Sequence, residues 1–236
     1  MKAASSSDSL FTHSKTCAES PFLSGPWCGR LRDPEVLGLG GMSSPFGNHV
    51  EVAIVRHGFG DEYTMESVDD RFLLSDSDVR TIARICNEPL VYRFLFRDRI
   101  GGRPYTGQDA RDFIDWARSG WSSGQQMVFL LRDPHGEIGA AIDIGPLDES
   151  RDALIGYWAS SFHRGLMTNT VERLAELSVN AGYSKLVALA EAENVRSISI
   201  LKRAGFTHVG AAVHPVTFMG QPVGIDLRFR RYERAL

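Results

Sequence analysis

The sequence is poor in several features that would narrow its role at once. It has three cysteines in 236 residues, Cys17, Cys28 and Cys86, and none stands in a CxxC pair. That excludes a zinc ribbon or a thioredoxin-type redox pair, and so sparse a set suits a reducing compartment. No metal is expected. No apolar run approaches the ~18 residues needed to cross a bilayer, and Lys2 is followed by no apolar stretch. Neither a membrane span nor a secretory leader is therefore expected, and the chain reads as soluble and cytoplasmic. Neither sign of charge dominates: 26 Lys and Arg stand against 29 Asp and Glu, for a net charge of -3. Such a balance gives no general pull toward nucleic acid or anionic lipid. No internal repeat is present. What remains is a chain whose 43% hydrophobic content is enough for a full core.

Composition divides the chain. Residues 1–64 are rich in Ser, Gly and Pro, as in Ser5-Ser6-Ser7, Ser24-Gly25-Pro26 and Gly38-Leu39-Gly40-Gly41. They read as an extension, with one β-branched strand over Val50–Val55 that joins a sheet edge. Residues 65–236 carry regular patterning and read as the main domain.

Within that domain Phe72–Leu74 suggests a short strand, and Ser75–Asp78 offers caps for a helix whose core face is Val79, Ile82, Ile85 and Cys86. A second helix is expected from about Gln108 to Arg118, burying Ala110, Phe113, Trp116 and Ala117. Met127–Arg132 and Glu137–Ile144 are strands joined by the turn Asp133-Pro134-His135-Gly136. Ala153–Ala159 completes an antiparallel meander. A helix over Thr168–Asn180, ended by Gly182, leads to a buried strand over Leu186–Ala190. Val195, Ile198, Leu201 and Ala204 mark the core face of the next helix, which Gly205 stops. Val209–Val213 and Ile225–Tyr232 form closing strands around the turn Met219–Pro222. The order describes a mixed α/β sheet.

Two loops can carry chemistry. Ser161–Thr168 lies between a strand and a helix start, where free backbone N–H groups and the positive dipole end suit a phosphate. Gly165 permits close backbone approach, and His163 or Arg164 can add charge. The second loop is Asn194 through Ser197. Asn194 reads first as a helix N-cap. That leaves Ser197 unexplained, at the mouth of a crevice beyond a strand's carboxyl end, where α/β sheets bind ligands.

Together these segments resemble the GNAT superfamily of N-acetyltransferases, of the RimL/RimJ-like subfamily. The likeness rests on Asn194-Val195-Arg196-Ser197, on Leu201–Phe206, on Ile155-Gly156-Tyr157-Trp158, on Arg164-Gly165-Leu166-Met167-Thr168, and on Glu137-Ile138-Gly139. It covers roughly residues 66–236. It implies a mixed, mostly antiparallel sheet with flanking helices, splayed into a V between the family's fourth and fifth strands. It also implies that acetyl-CoA is the acyl donor, with its pyrophosphate on His163, Arg164, Gly165, Leu166, Met167 and Thr168. The thioester would lie along Trp158 and Ala159, with Asn194 and Ser197 beside the cofactor. The implied reaction is direct attack of a primary amine, on a small molecule or a peptide N-terminus, with Ser197 as the acid that protonates the leaving thiolate.

The chain departs from the family pattern twice. The loop between Trp158 and Gly165 is shorter, and Leu154 stands where relatives often have Glu. The base is then sought among Asp143, His214 and Asp226, each of which also has a plain structural reading. Val91–Arg99 and the Trp116 helix would form the acceptor side. The C-terminal Arg228–Arg234, basic with interleaved aromatics, keeps a second reading open, in which the donor is an aminoacyl-tRNA. A third is a non-catalytic binding module of the same fold. The sequence sets neither the acceptor nor the oligomeric state.

Overall fold

The computed structural model describes residues 44–147 and 151–236. Cys17, Cys28 and the Ser/Gly/Pro-rich stretches of residues 1–43 lie outside the described residues. The elements in chain order are β1 (Glu51–Val55), β2 (Glu62–Ser67), α1 (Asp76–Cys86), α2 (Pro89–Val91), a π-helical turn (Tyr92–Phe96), α3 (Gly107–Ser123), β3 (Met127–Arg132), β4 (Ile138–Pro146), β5 (Asp152–Ala159), α4 (Leu166–Asn180), β6 (Lys185–Ala190), α5 (Val195–Arg203), β7 (Thr207–Phe218) and β8 (Gln221–Ala235).

All eight strands form one sheet in the order β1-β2-β3-β4-β5-β6-β8-β7. Every pairing is antiparallel except that of β5 with β6. That parallel pair runs only from Asp152 opposite Lys185 to Ile155 opposite Ala188. Beyond it Gly156–Ala159 stay bonded to β4, and Leu189 and Ala190 to β8, but the two strands no longer reach each other. The expected V is this parting.

Helices cover both faces, which is why the central strands are apolar throughout rather than alternating. Successive β3 residues serve opposite layers. Met127, Phe129 and Leu131 join Ile142, Leu174 and Leu201 under α4 and α5. Val128 and Leu130 join Ile82, Ile85, Ile114 and Trp158 under α1 and α3. Truncating one such buried aliphatic side chain to Ala costs about 2–5 kcal/mol.

Local chemistry sets the helix ends. Ser75 and Asp78 form a reciprocal capping box on α1, and Thr106 and Asp109 form another on α3. Helix α3 runs past Arg118 to Ser123 because its left-handed terminator, Gly124, comes later than the apolar pattern suggests. Phe72–Leu74 is not a strand. Its apolar residues split, Phe72 into the core and Leu73 into solvent at 86% exposure, in the approach to the Ser75 cap. Val195 is likewise not a core residue. It opens α5 at 66% exposure, and only from Ile198 onward does that helix reach the sheet. Strand β2, with Tyr63, Met65 and Ser67 buried on alternate positions, was not expected at all.

At the far edge, β7 and β8 form a long hairpin whose tip pairs Phe218 with Gln221. Met219 at φ 48° and Gly220 at φ 77° are both left-handed, as a two-residue turn of the right hand for β-strands requires. The tip returns across the molecule to the α1–α3 layer: Phe218 meets Tyr105 with ring centroids 6.4 Å apart. Among the described residues no helix is long and apolar enough to cross a membrane.

Candidate active site

The V opens into a cleft of about 700 Å³. One wall is built from the open ends of β5 and β6 and the starts of α4 and α5. Helix α4 begins directly after Gly165, which is left-handed at φ 88°, and no acidic side chain or side-chain cap occupies its first turn. The N–H groups there are left for a ligand. Gly165 is demanded twice over. A Cβ would stand 2.6 Å from the His57 carbonyl oxygen, and a side chain disfavours that backbone region. The His57 N–H also donates to the Gly165 carbonyl at 3.2 Å, so the β1–β2 loop braces the α4 start.

The shortened loop before Gly165 is pinned by Glu88. Its carboxylate accepts from the Ser160 hydroxyl at 2.6 Å and from the Ser161 N–H at 2.7 Å. His163 lines the cleft, but it does not bring the expected positive charge. Its ring packs on Gly139 and its Nδ1 lies 2.6 Å from the Tyr63 hydroxyl, and burial lowers its pKa below the ordinary histidine value. Leu166 puts its side chain into the core, so only its backbone is available to the site. Arg164, Arg196 and Arg203 line the cleft without an ion pair among the described residues. Arg203 Nε donates to the Thr168 hydroxyl at 3.2 Å, linking α5 to α4.

Asn194 caps α5 as its residue type suggests: its Oδ1 accepts from the Ser197 N–H at 3.2 Å. Ser197 Oγ faces β5, where it lies 2.8 Å from the Tyr157 hydroxyl. Burial raises the Tyr157 pKa, and the Ser197 hydrogen bond partly offsets the rise. Trp158, the next residue along, points to the opposite face and packs near Phe113, with ring centroids 6.4 Å apart. Trp158 and Ala159 therefore line the cleft where the strand edge is open.

The other wall comes from the π-helical turn, Arg99 and β7. Arg99 Nη1 donates to the carbonyls of Leu95 at 2.5 Å and Phe94 at 3.4 Å, and its Nε to Thr217 at 3.1 Å. Burial lowers its pKa, while Glu191, Asp98 and Asp143 act in the opposite direction. His214 lies on this wall. Its Nδ1 lies 3.0 Å from the Pro215 carbonyl, which can only accept, so Nδ1 carries the proton. Nε2 is buried and has no hydrogen-bond partner among the described residues.

Asp143 is not among the cleft-lining residues. It sits behind Gly156, where a Cβ would come within 3.0 Å of its carboxylate. Although some of its surface stays open, the surrounding atoms push its pKa up to about 7 by burial, against hydrogen bonds from Gly156 and Gln126 and the charge of Arg99. Gln126 Nε2 donates to it at 2.8 Å. Asp226 is exposed on β8, away from the cleft.

Residues 71–207 match the family profile described as an acetyltransferase (GNAT) domain, which is more than half of the chain. The chain belongs to the GNAT acetyltransferase family. It is therefore an N-acyltransferase by family, and the splayed sheet is the GNAT fold.

Solved structures of the same fold include RimJ of Mycobacterium smegmatis in complex with CoA-disulfide, at 15% identity and a TM-score of 0.63, covering 82% of this chain and 90% of that one. A Vibrio cholerae protein assigned as a ribosomal-protein-serine acetyltransferase is similar at 13% identity and a TM-score of 0.61, covering 83% of this chain and 100% of that one. The microcin C7 self-immunity acetyltransferase MccE, in complex with acetyl-CoA and AMP, has 15% identity and a TM-score of 0.57, covering 73% and 92%. At such identities the likeness carries the fold alone. A search of curated proteins finds no match.

Four residues of this GNAT cleft were not singled out as site residues from the sequence: Tyr157, Glu88, Arg99 and Arg203. Tyr157 sat inside a quoted strand motif, and its place two residues after the buried Ile155 on the same face was a usable signal. Arg99 lay within the stretch expected on the acceptor side but was not set apart there, because its partners Phe94, Leu95 and Thr217 come together only in three dimensions.

Proposed function

We propose that this GNAT protein transfers an acetyl group from acetyl-CoA to a primary amine by direct attack, as a RimL/RimJ-like enzyme. One observation carries the reading: a strand edge open along Gly156–Ala159 ends at a helix start whose N–H groups are free. An extended amide-bearing chain would pair with such an edge, and a pyrophosphate would seat on such a helix start. Gly165 through Thr168 would hold the pyrophosphate, with Arg164, Arg196 and Arg203 adding charge at the rim. Bound there, acetyl-CoA would supply the activated acyl group and a thiolate leaving group.

The chain's own residues would do the rest. Ser197, oriented by the Asn194 cap and hydrogen-bonded to Tyr157, would return a proton to the leaving sulfur. His214 Nε2, buried and without a partner among the described residues, would take the proton that the attacking amine must lose. Asp143, a candidate for the same task, lies outside the cleft walls and would position Gln126 and Gly156 instead. Of the four arginines on β8 only Arg228 and Arg230 stand exposed, a small footprint for a tRNA-bound donor. Arg231 is paired with Glu233 at 2.8 Å and Arg234 donates to the Ala204 carbonyl at 2.8 Å.

Titration calorimetry with acetyl-CoA, CoA and a charged tRNA tests this reading. Saturable binding of the first two is expected. Binding of tRNA alone would overturn it.

A further inference from the structure

Arg99 is held unlike any other arginine of the cleft. Its Nε and Nη1 are fixed by the carbonyls of Thr217, Leu95 and Phe94, while Nη2 has no protein partner among the described residues. The residue is half-buried and lines the cleft. No carboxylate stands within ion-pair distance of it among the described residues. The acidic groups that act on it across space are engaged or on their own errands: Asp98 is bound by Arg97 at 2.9 Å, and Asp143 by Gln126 at 2.8 Å. Glu191 faces the same cleft. A half-buried guanidinium with no carboxylate in contact is costly, because buried charges are normally paired. Its fixed plane and the two free N–H groups of Nη2 suit a carboxylate oxygen brought by a ligand.

We infer that the acceptor amine carries a carboxylate, which Arg99 receives from the acceptor wall while Glu191 draws in the amine's positive end before it is deprotonated. The inference rests on the acetyl-transfer reading above and names the substrate class for the same cleft. The carboxylate has two sources, the α-carboxylate of a free amino acid or the acidic side chain of a peptide's first residue.

The experiment measures acetylation of matched acceptors: an amino acid against its carboxamide, and an Asp-first against an Asn-first peptide amide. The carboxylate member of one pair is expected to exceed its partner about 30-fold or more in kcat/KM, the range of a charged hydrogen bond. The pair that discriminates identifies the source. In Arg99→Gln that ratio should fall toward one, and Arg99→Lys should keep part of it. A wild-type protein that separates neither pair, or an Arg99→Gln variant that lowers both members alike, overturns the inference. The second result would make Arg99 only a tie between the π-helical turn and β7. If Arg99→Gln does not fold, the des-amino forms of both acceptor pairs, each acid against its uncharged counterpart, are compared as inhibitors of the wild type. In the pair that holds the carboxylate source the acid should bind about 10-fold more tightly, and equal inhibition in both pairs overturns the inference. Acetyl-CoA calorimetry on the same wild-type protein separates the failures. Donor binding without carboxylate preference sinks this inference alone, whereas no donor binding sinks the acetyl-transfer reading.

Discussion

The two walls of the cleft are made from different materials. The proposed donor wall uses backbone: an unpaired strand edge, the free N–H groups of α4, and Gly165 where a side chain cannot fit. Its pieces lie within short stretches of chain. The acceptor wall uses side chains and distance, with β7 hooked onto Arg99 across 118 residues of sequence. The first can be written as a motif. The second depends on how one hairpin meets one turn, so it is free to differ among proteins that choose different amines.

This contrast can be broken at several points. The largest effect is expected at Ser197 on the donor wall. Ser197→Ala should lower kcat by about 10²-fold or more if the residue supplies a proton, while acetyl-CoA affinity in calorimetry stays near wild type. Equal losses in affinity and kcat would make it a binding residue. Gly165→Ala should act the other way. A non-glycine residue in the left-handed region costs about 1–2 kcal/mol, and the 2.6 Å approach to His57 adds to it. Acetyl-CoA affinity should fall at least about 10-fold for every acceptor tried, and unchanged affinity would remove the phosphate loop from the donor wall.

Asp143, behind the cleft wall, is tested through pH. Its folded pKa of about 7 lies above its ordinary 3.8. Between those values the unfolded chain has released the proton while the fold still holds it, so unfolding is favoured as pH rises. The stability present below 3.8 should be lost progressively up to about 7. Asp143→Asn should flatten the dependence of Tm on pH across that window, and parallel curves would show that Asp143 does not titrate there. The smallest effect belongs to the hairpin tip. Met219 is left-handed at φ 48°, so Met219→Asn should raise stability by about 0.5–1 kcal/mol in urea unfolding. No gain would mean that the Met219 side chain offsets its backbone cost by packing.

Much of the scaffold was readable because its signals are local. The turn Asp133–Gly136, the caps at Ser75 and Asn194, and the stop at Gly205 each announce an element end within a few residues. Errors arose where apolar content and position disagreed. Val195 has the spacing of a core residue but lies in the first turn of α5, outside the sheet's reach. Leu73 looks like strand sequence and instead faces solvent. Strand β2 hid because Glu62, Thr64 and Glu66 dilute its apolar content, although Tyr63, Met65 and Ser67 alternate as a half-buried strand should. In the site, Asn194 was visible through capping and Ser197 through its place at a strand-end crevice, while Arg99 was covered only by the stretch expected on the acceptor side. A π-helical turn leaves no apolar period by which to find it, and the three carbonyls that hold the guanidinium belong to backbone that any residue could supply.

The sheet order has a consequence for assembly. Strand β7 touches the sheet only through β8, which follows it in the chain and separates it from β6. On a growing polypeptide, β7 leaves the ribosome before the strand that must hold it. The donor half of the pocket can then form first, with the acceptor half completed only after β8 has threaded between its neighbours. Gly220, at the hairpin tip, packs beside the Trp116 indole. Trp116 fluorescence should therefore change in the slowest phase of refolding, after the far-UV signal of α4 and the central strands has settled. If the two signals rise together, the hairpin docks with the rest of the sheet and the pocket is born whole.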